Sequence, residues 1–267
     1  MALCKVFGIY PKPLPKDGDV VISLTSFPKR INDVWIAIDS MFYQKMKPSK
    51  VILNLTEEEF PNEKEGFPKR LLEYEKLGLE IRFRKENLFP HNKYFYALQE
   101  AGNKCVITID DDMYYLDNLV SNLWSLHQAH PDCICANSVR KICFNNDGSF
   151  APYKEWHRAV EPVEPSLLNL ALGANGVLYP SNIFKDKSVF NVREIKELCL
   201  KADDLWLRMQ EMRQGIKVVS GKLFVPGIGI FGSQAVSLKK SNVGHGKNDA
   251  QWQKLCERYG VDRSYFG

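Results

Sequence analysis

No apolar run in this chain reaches the roughly 18 residues that a helix needs to cross a membrane. The nearest candidate, Leu167 to Tyr179, is broken by Asn169, Gly173, Asn175 and Gly176. The opening MALCKVFGIY is too short for a signal peptide and gives way at once to prolines and lysines. A soluble or at most peripheral protein is expected. Charge of one sign is also scarce. A net +4 over 267 residues falls far short of the field of a dedicated nucleic-acid binder, so no nucleic acid is expected as a partner. Lysines collect only in SLKKSNVGHGKND, where a phosphate-bearing ligand, an anionic membrane surface or plain solvent would each suit them. Paired cysteines are missing too. The seven at 4, 105, 133, 135, 143, 199 and 256 are odd in number and show no C-x-x-C spacing. That supports neither a disulfide framework nor a zinc site and favours a reducing cytoplasm. Repeats and low-complexity segments are absent, and 45% hydrophobic residues suffice for a sizeable core.

What is there alternates. VVISLTS (20–26) reads as a strand, followed by a helix whose apolar face is Val34, Ile38, Met41 and Phe42. VILNL (51–55) is a second strand. Pro68 to Leu77 is helical and closes at Gly78 before a third strand, LEIRF (79–83). A short helix through Tyr94, Ala97 and Leu98 stops at Gly102. VITI then makes a fourth strand, and a long helix carries Leu116, Leu119, Val120, Leu123 and Trp124. This is the pattern of an open α/β sheet. After about Cys143 comes a polar, aromatic, proline-rich stretch that reads as an active-site loop. LLNLALGANGVLYP, a helix from Asp203 to Gln214 closed by Gly215, the strand KVVS and a terminal helix with Trp252, Leu255, Cys256 and Tyr259 follow. One domain is expected, in which residues 144–267 complete a site on residues 20–143.

The stretch CVITIDDDMYYLDN runs a buried strand into three aspartates. An acidic triplet alone reads as a solvated turn. At the carboxyl end of a strand, where open α/β sheets bind ligands, it reads differently. Asp110 and Asp112 have the period-two spacing to approach one ligand, and carboxylate oxygens suit Mg²⁺ or Mn²⁺, which bridge diphosphates.

The strand ending in Asp-x-Asp, together with VISLTSFPKR, HNKYFYAL, LGANGVLYP and ADDLWL, resembles bacterial nucleotide-sugar glycosyltransferases of the GT-A fold, of the family-2-like capsule or lipopolysaccharide type. The resemblance spans about residues 20–259. It implies a Rossmann-like, open mixed sheet flanked by helices in a single domain, with Mn²⁺ or Mg²⁺ as cofactor. It makes Asp112 the principal metal ligand and Asp110 its partner, with Asp111 facing the nucleotide sugar or solvent. Thr25 and Ser26 would hold the nucleoside, and Lys93 would meet the donor. Arg30 would also belong to the donor side, unless it and Lys93 are solvated helix-end charges. Asp204 would be the general base of an inverting reaction with Asp203 beside it, against the plainer reading of the pair as a helix N-cap. His245 would be a further metal ligand and Lys247 a phosphate partner.

The implied reaction moves a sugar from a nucleotide-sugar donor, UDP-sugar and by family habit UDP-galactose, to a saccharide or lipid-linked saccharide acceptor in bacterial surface-polysaccharide synthesis. Such an enzyme would be cytoplasmic, at most peripheral on the inner face of the membrane. Gly173 to Gly176 would let the backbone approach a sugar or simply turn. Trp156 and His157 would form an acceptor platform or pin the loop. Arg140 would serve any nearby carboxylate. Two rivals stand. A haloacid-dehalogenase-type phosphohydrolase also ends a strand in Asp-x-Asp, but has Thr or Val where Tyr114 stands. A non-catalytic nucleotide- or carbohydrate-binding protein could retain the cation site.

Overall fold

The computed structural model describes residues 10–221, 227–230 and 246–266. Strands β1 (Val20–Thr25), β2 (Lys50–Thr56), β3 (Leu79–Arg84) and β4 (Cys105–Thr108) alternate with helices α1 (Val34–Phe42), α2 (Lys69–Glu73), α3 (Asn92–Phe95) and α4 (Ala97–Glu100). A two-residue β5 (Met113–Tyr114) precedes α5 (Leu119–Ala129). Six short strands follow: β6 (Ile134–Ala136), β7 (Val139–Lys141), β8 (His157–Arg158), β9 (Val163–Ser166), β10 (Asn169–Ala171) and β11 (Val177–Tyr179). Helices α6 (Val192–Leu198) and α7 (Asp203–Arg213), strands β12 (Val218–Ser220) and β13 (Ile228–Gly229), and helix α8 (Lys247–Tyr259) complete the described chain.

Eight strands form the main sheet in the order β3-β2-β1-β4-β11-β6-β12-β9. The first four are parallel, as strand–helix alternation demands. β11 is inserted antiparallel between β4 and β6, with Val177 opposite Thr108. That reversal matters for the site. It brings the amino end of β11, and the turn before it, to the carboxyl end of β4.

The core divides by period two along the strands. Val20, Ile22 and Leu24 of β1, Cys135 of β6, Leu178 of β11 and Val219 of β12 pack on one face, with α1 and α5. Ile134, Val177, Tyr179 and Val218 pack on the other, with α6, α7 and α8. Cys133, Ile134 and Cys135 are all buried because both faces of the sheet are covered. The same coverage explains why every residue of VITI is buried, Thr108 included, rather than every second one. A left-handed Gly78, φ 117°, ends the second helical segment, which tightens to a 3₁₀ turn over Tyr74–Leu77.

Three details depart from the sequence reading. The helix through Tyr94 to Leu98 is two four-residue turns, since no apolar periodicity sustains it. Leu116 precedes α5 rather than lying within it. The proline-rich stretch after Cys143 is anchored, with Ala151, Tyr153 and Trp156 buried in the second core. No described helix is long and apolar enough to cross a membrane.

Candidate active site

The site lies at the carboxyl ends of β1 and β4. Ser26 follows β1, and its hydroxyl donates to Asp111 Oδ2 at 2.6 Å. Arg30 sits between Ser26 and α1 and spans two carboxylates, with one amino nitrogen 2.5 Å from Asp111 Oδ1 and the other 3.0 Å from Asp112 Oδ2. Asp111 is therefore buried against Ser26 and Arg30, which removes solvent from the two directions expected of it. Asp111 and Asp112 lie in a turn rather than an extended segment, so both carboxylates reach the same guanidinium. Burial pushes the Asp111 carboxyl up to about 6, against Arg30 and Ser26. Asp112 is raised by burial and then by Asp110, again against Arg30. Thr25 donates to the Asn54 carbonyl at 2.8 Å and so ties β1 to β2.

The third aspartate takes part in a different network. Lys93, buried in α3 midway along the β3–β4 crossover, donates to Asp110 Oδ1 at 2.8 Å and lies 2.9 Å from Asp203 Oδ2. It thereby joins the acidic strand end to the acidic start of α7. Burial alone would lower the Lys93 ammonium, but Asp110, Asp203 and Asp204 together hold it well above its ordinary value. Asp203, buried, and Asp204, half-buried, act on each other as a pair. Burial works against ionising either, yet Lys93 keeps Asp203 below the usual carboxylate range, while burial and the Asp203 charge push Asp204 well above it. Neither aspartate is the cap of α7. The cap position is Ala202, with no side-chain cap bond. Asp204 instead accepts from the Gly173 N–H at 3.1 Å.

Gly173 explains itself by proximity. A Cβ there would lie 2.6 Å from Lys93 Nζ and 3.1 Å from Asp204 Oδ1. Two roles were open to this glycine, approach to a sugar or a turn, and the space beside its Cα is taken by the Lys93 ammonium. Gly176 has φ +87°, and a Cβ would lie 2.8 Å from Leu119 Cδ1, so that glycine serves the turn. Tyr115 fastens this turn to the triplet, accepting from the Asp110 N–H at 2.8 Å and donating to the Ala174 carbonyl at 3.0 Å.

Sequence reasoning missed Tyr115 and His91. His91 is fully buried, with Nε2 2.8 Å from the Cys199 carbonyl and Nδ1 3.0 Å from the Tyr94 hydroxyl. The carbonyl can only accept, so Nε2 carries the proton and Nδ1 accepts from Tyr94. This ties the Lys93 segment to the loop leading into Asp203. Burial lowers the imidazole to about 4, leaving it neutral. Its position two residues before Lys93 in HNKYFYAL was the available signal.

Other expected residues fall elsewhere. Trp156 is 1% exposed, donates to the Ala151 carbonyl at 2.8 Å and packs edge-on against Trp252, so it pins the loop and offers no sugar platform. Arg140 donates to the Trp156 carbonyl at 2.5 Å, not to a carboxylate. Lys247 is exposed at the first position of α8, a helix tied to the loop through Asp249, which accepts from the Tyr153 N–H at 2.6 Å. His245 lies outside the described residues.

For a divalent cation the protein supplies hard oxygens, but few of them. The described residues hold no group of three or more His, Cys, Asp and Glu side chains placed to ligate a metal by themselves. Asp110 and Asp112 each have one oxygen committed to a basic side chain. Two carboxylates with the rest of the shell from phosphates and water is the usual way Mg²⁺ binds with a phosphate substrate, so the donor set fits such a shared site.

No protein-family model and no curated protein matches the chain. Solved structures do. The chain is similar to S. aureus TarS residues 1–349, at 12% identity and TM-score 0.52 over 91% of this chain and 72% of that one. It is similar to the mannosyltransferase PcManGT from Pyrobaculum calidifontis, in complex with GDP-Man and Mn²⁺, at 12% identity and TM-score 0.52 over 97% and 70%. A further TarS structure, in complex with UDP, matches at 14% identity and TM-score 0.51 over 90% and 70%. At such identity the likeness shows the fold, which is of the GT-A type.

Proposed function

We propose that this protein is a metal-dependent, inverting glycosyltransferase that moves a sugar from a nucleotide-diphosphate donor to a saccharide or lipid-linked saccharide acceptor. The observation that carries this reading is Lys93, which bonds Asp110 and pairs with Asp203, bringing the two acidic motifs to one place. The fold neighbours support it, one of them holding GDP-Man and Mn²⁺.

In this reading the side chains divide into two tasks. Asp110 and Asp112 hold the divalent cation, which when bound stabilises negative charge on the departing diphosphate. Thr25, Ser26 and Arg30 form the nucleoside end, with Asp111 fixing Ser26 and Arg30 in place. Lys93 and Lys247 add positive charge on the donor side, and His245 is the candidate for a further metal ligand. Asp204 takes the proton of the acceptor hydroxyl as the new glycosidic bond forms. Its raised basicity suits it to accept that proton once ionised, and the Gly173 N–H orients it. Asp203, kept ionised by Lys93, leaves Asp204 as the group that gains or loses the proton.

A base on one side of the sugar and a leaving group on the other imply inversion. UDP-sugars, UDP-galactose among them, are the first donors to try, with surface-polysaccharide precursors as acceptors. Incubating the protein and Mn²⁺ with UDP- and GDP-sugars and saccharide acceptors tests the reading. The expected outcome is metal-dependent release of nucleoside diphosphate and, by NMR, a product of anomeric configuration opposite to the donor. A product of retained configuration would remove Asp204 as base. Release of inorganic phosphate instead would favour the phosphohydrolase.

A further inference from the structure

Helix α7 carries a second buried charge one turn beyond the proposed base. Arg208 is wholly enclosed and follows Asp204 by four residues, so the two project from one face of the helix. One amino nitrogen donates to the Asn169 carbonyl at 2.9 Å and lies 2.9 Å from Glu211 Oε2. The other donates to the Ile216 carbonyl at 2.7 Å. The guanidinium fork is committed to two backbone oxygens and one carboxylate.

Packing alone does not call for it. Burying an arginine–glutamate pair costs desolvation energy, and apolar side chains of the same volume commonly serve stability as well or better. What the fork does fix is the place of a strand. The Asn169 carbonyl belongs to β10, which is the edge of its three-stranded sheet and has a strand partner, β7, on one side only. The Leu168 carbonyl accepts from the Ile142 N–H on that side, so the Asn169 carbonyl faces the opposite way, where Arg208 meets it. The Asn169 side chain fixes the same residue from another direction, donating to the carbonyls of Glu164 at 2.9 Å and Val218 at 2.8 Å.

Four residues on from Asn169 the chain reaches Gly173, whose N–H meets Asp204 at 3.1 Å. Helix and strand are therefore joined at two points in opposite sense, Arg208 to Asn169 and Asp204 to Gly173. Four residues span about 6 Å on a helix and about 13 Å in a strand, so regular geometry would not bring both joints into register. The long arginine side chain and the 3₁₀ turn Gly173–Asn175 take up the difference. Without the arginine joint the edge strand can settle elsewhere, and the glycine N–H moves with it.

We propose that Arg208 is the positioning residue of the base. Its hold on the Asn169 carbonyl sets where the Gly173 N–H meets Asp204, and so the direction in which that carboxylate faces an acceptor hydroxyl. The chemical role of Asp204 rests on the transferase reading above, whereas the contact itself does not.

Two substitutions separate position from stability. Arg208→Lys keeps a buried positive charge beside Glu211, but a single ammonium cannot reproduce the fork that reaches both carbonyls. Glu211→Gln removes the ion pair and leaves the fork. Burial already raises that carboxyl to about 7, so neutralising it is a mild change. The first readout is amide exchange at Gly173, followed by NMR on the full chain. It should be about tenfold faster in R208K than in the parent and unaltered in E211Q, while the amides of β1 and β4 stay protected in both. The second is initial rates with a nucleotide sugar and Mn²⁺. R208K should lower kcat about tenfold with the donor KM unchanged, E211Q should not, and R208K should add no further loss in the Asp204→Asn background. If R208K does not fold, the double variant Arg208→Met, Glu211→Leu removes both charges together and should show the same faster exchange and the same loss of kcat. Unaltered exchange at Gly173, an equal loss in E211Q, or a loss that persists in the D204N background would overturn the inference. A parent that turns over no nucleotide sugar removes the transferase reading alone, and the exchange at Gly173 still decides whether Arg208 sets the contact.

Discussion

Two clusters, each built on one buried cation, stand side by side at the carboxyl ends of interior strands and are organised oppositely. Arg30 holds Asp111 and Asp112, with Ser26 completing the set, and all four residues come from the β1 and β4 ends. Lys93 serves Asp110 and Asp203 within the first and second halves of the chain, with Asp204 adjoining. A guanidinium is a rigid fork and fixes two carboxylates in one geometry. An ammonium is a point charge that can be shared and redistributed. The first cluster is therefore suited to holding a scaffold, and the second to holding groups whose charge changes in a reaction.

The contrast can be broken at its reactive end first. Asp204→Asn should lower transfer by about 10²–10⁴-fold, the usual range for a general base, while a nucleotide sugar still binds; initial rates and calorimetry measure the two separately. Removing the fork tests the scaffold. Arg30→Met strands two buried carboxylates and should destabilise the fold by about 3–5 kcal/mol in urea titrations, with Asp111→Asn recovering part of that loss in the double variant.

The link between the clusters has a pH signature. His91 is neutral in the fold with its pKa lowered to about 4, whereas the unfolded chain takes up a proton nearer 6.5. Its contribution is thus fully present above about 6.5 and is lost as pH falls towards 4. Between pH 7 and 5 the protein should lose about 2 kcal/mol through this residue, and His91→Gln should lose less over the same interval. Gly173→Ala is the finest probe. Its methyl would press on the Lys93 ammonium, shifting the charges around Asp204, and transfer should fall about tenfold with little change in melting temperature.

Much of the first half could be read from the sequence because its strands and its first helix are long enough to show period. Val34, Ile38, Met41 and Phe42 do form one buried face, and β1, β2 and β3 fall within a residue or two of their expected limits. The second half could not be read in the same way. Strands of two to four residues, such as β7, β8 and β10, carry no periodicity, and the insertion of antiparallel β11 has no local signature. Yet that insertion delivers Gly173 to Asp204. The acids at 110–112 stood out by their place at a strand's carboxyl end, and those at 203–204, ordinary at a helix start, only through the family resemblance. Their convergence through Lys93 did not stand out, since it depends on a topology spanning most of the chain. Trp156 shows an alternative that the sequence left open. An aromatic in an irregular loop looks available for stacking, and only the packing against Trp252 shows that it is spent on the core.

The most direct measurement is the melting temperature of the unaltered protein against a panel of UDP- and GDP-sugars, each with and without Mn²⁺. A ligand that binds only the folded state stabilises it by mass action. The account predicts that one nucleotide sugar stands out and that its shift depends on Mn²⁺. A panel in which no nucleotide sugar raises the melting temperature, with the metal or without it, would contradict the account.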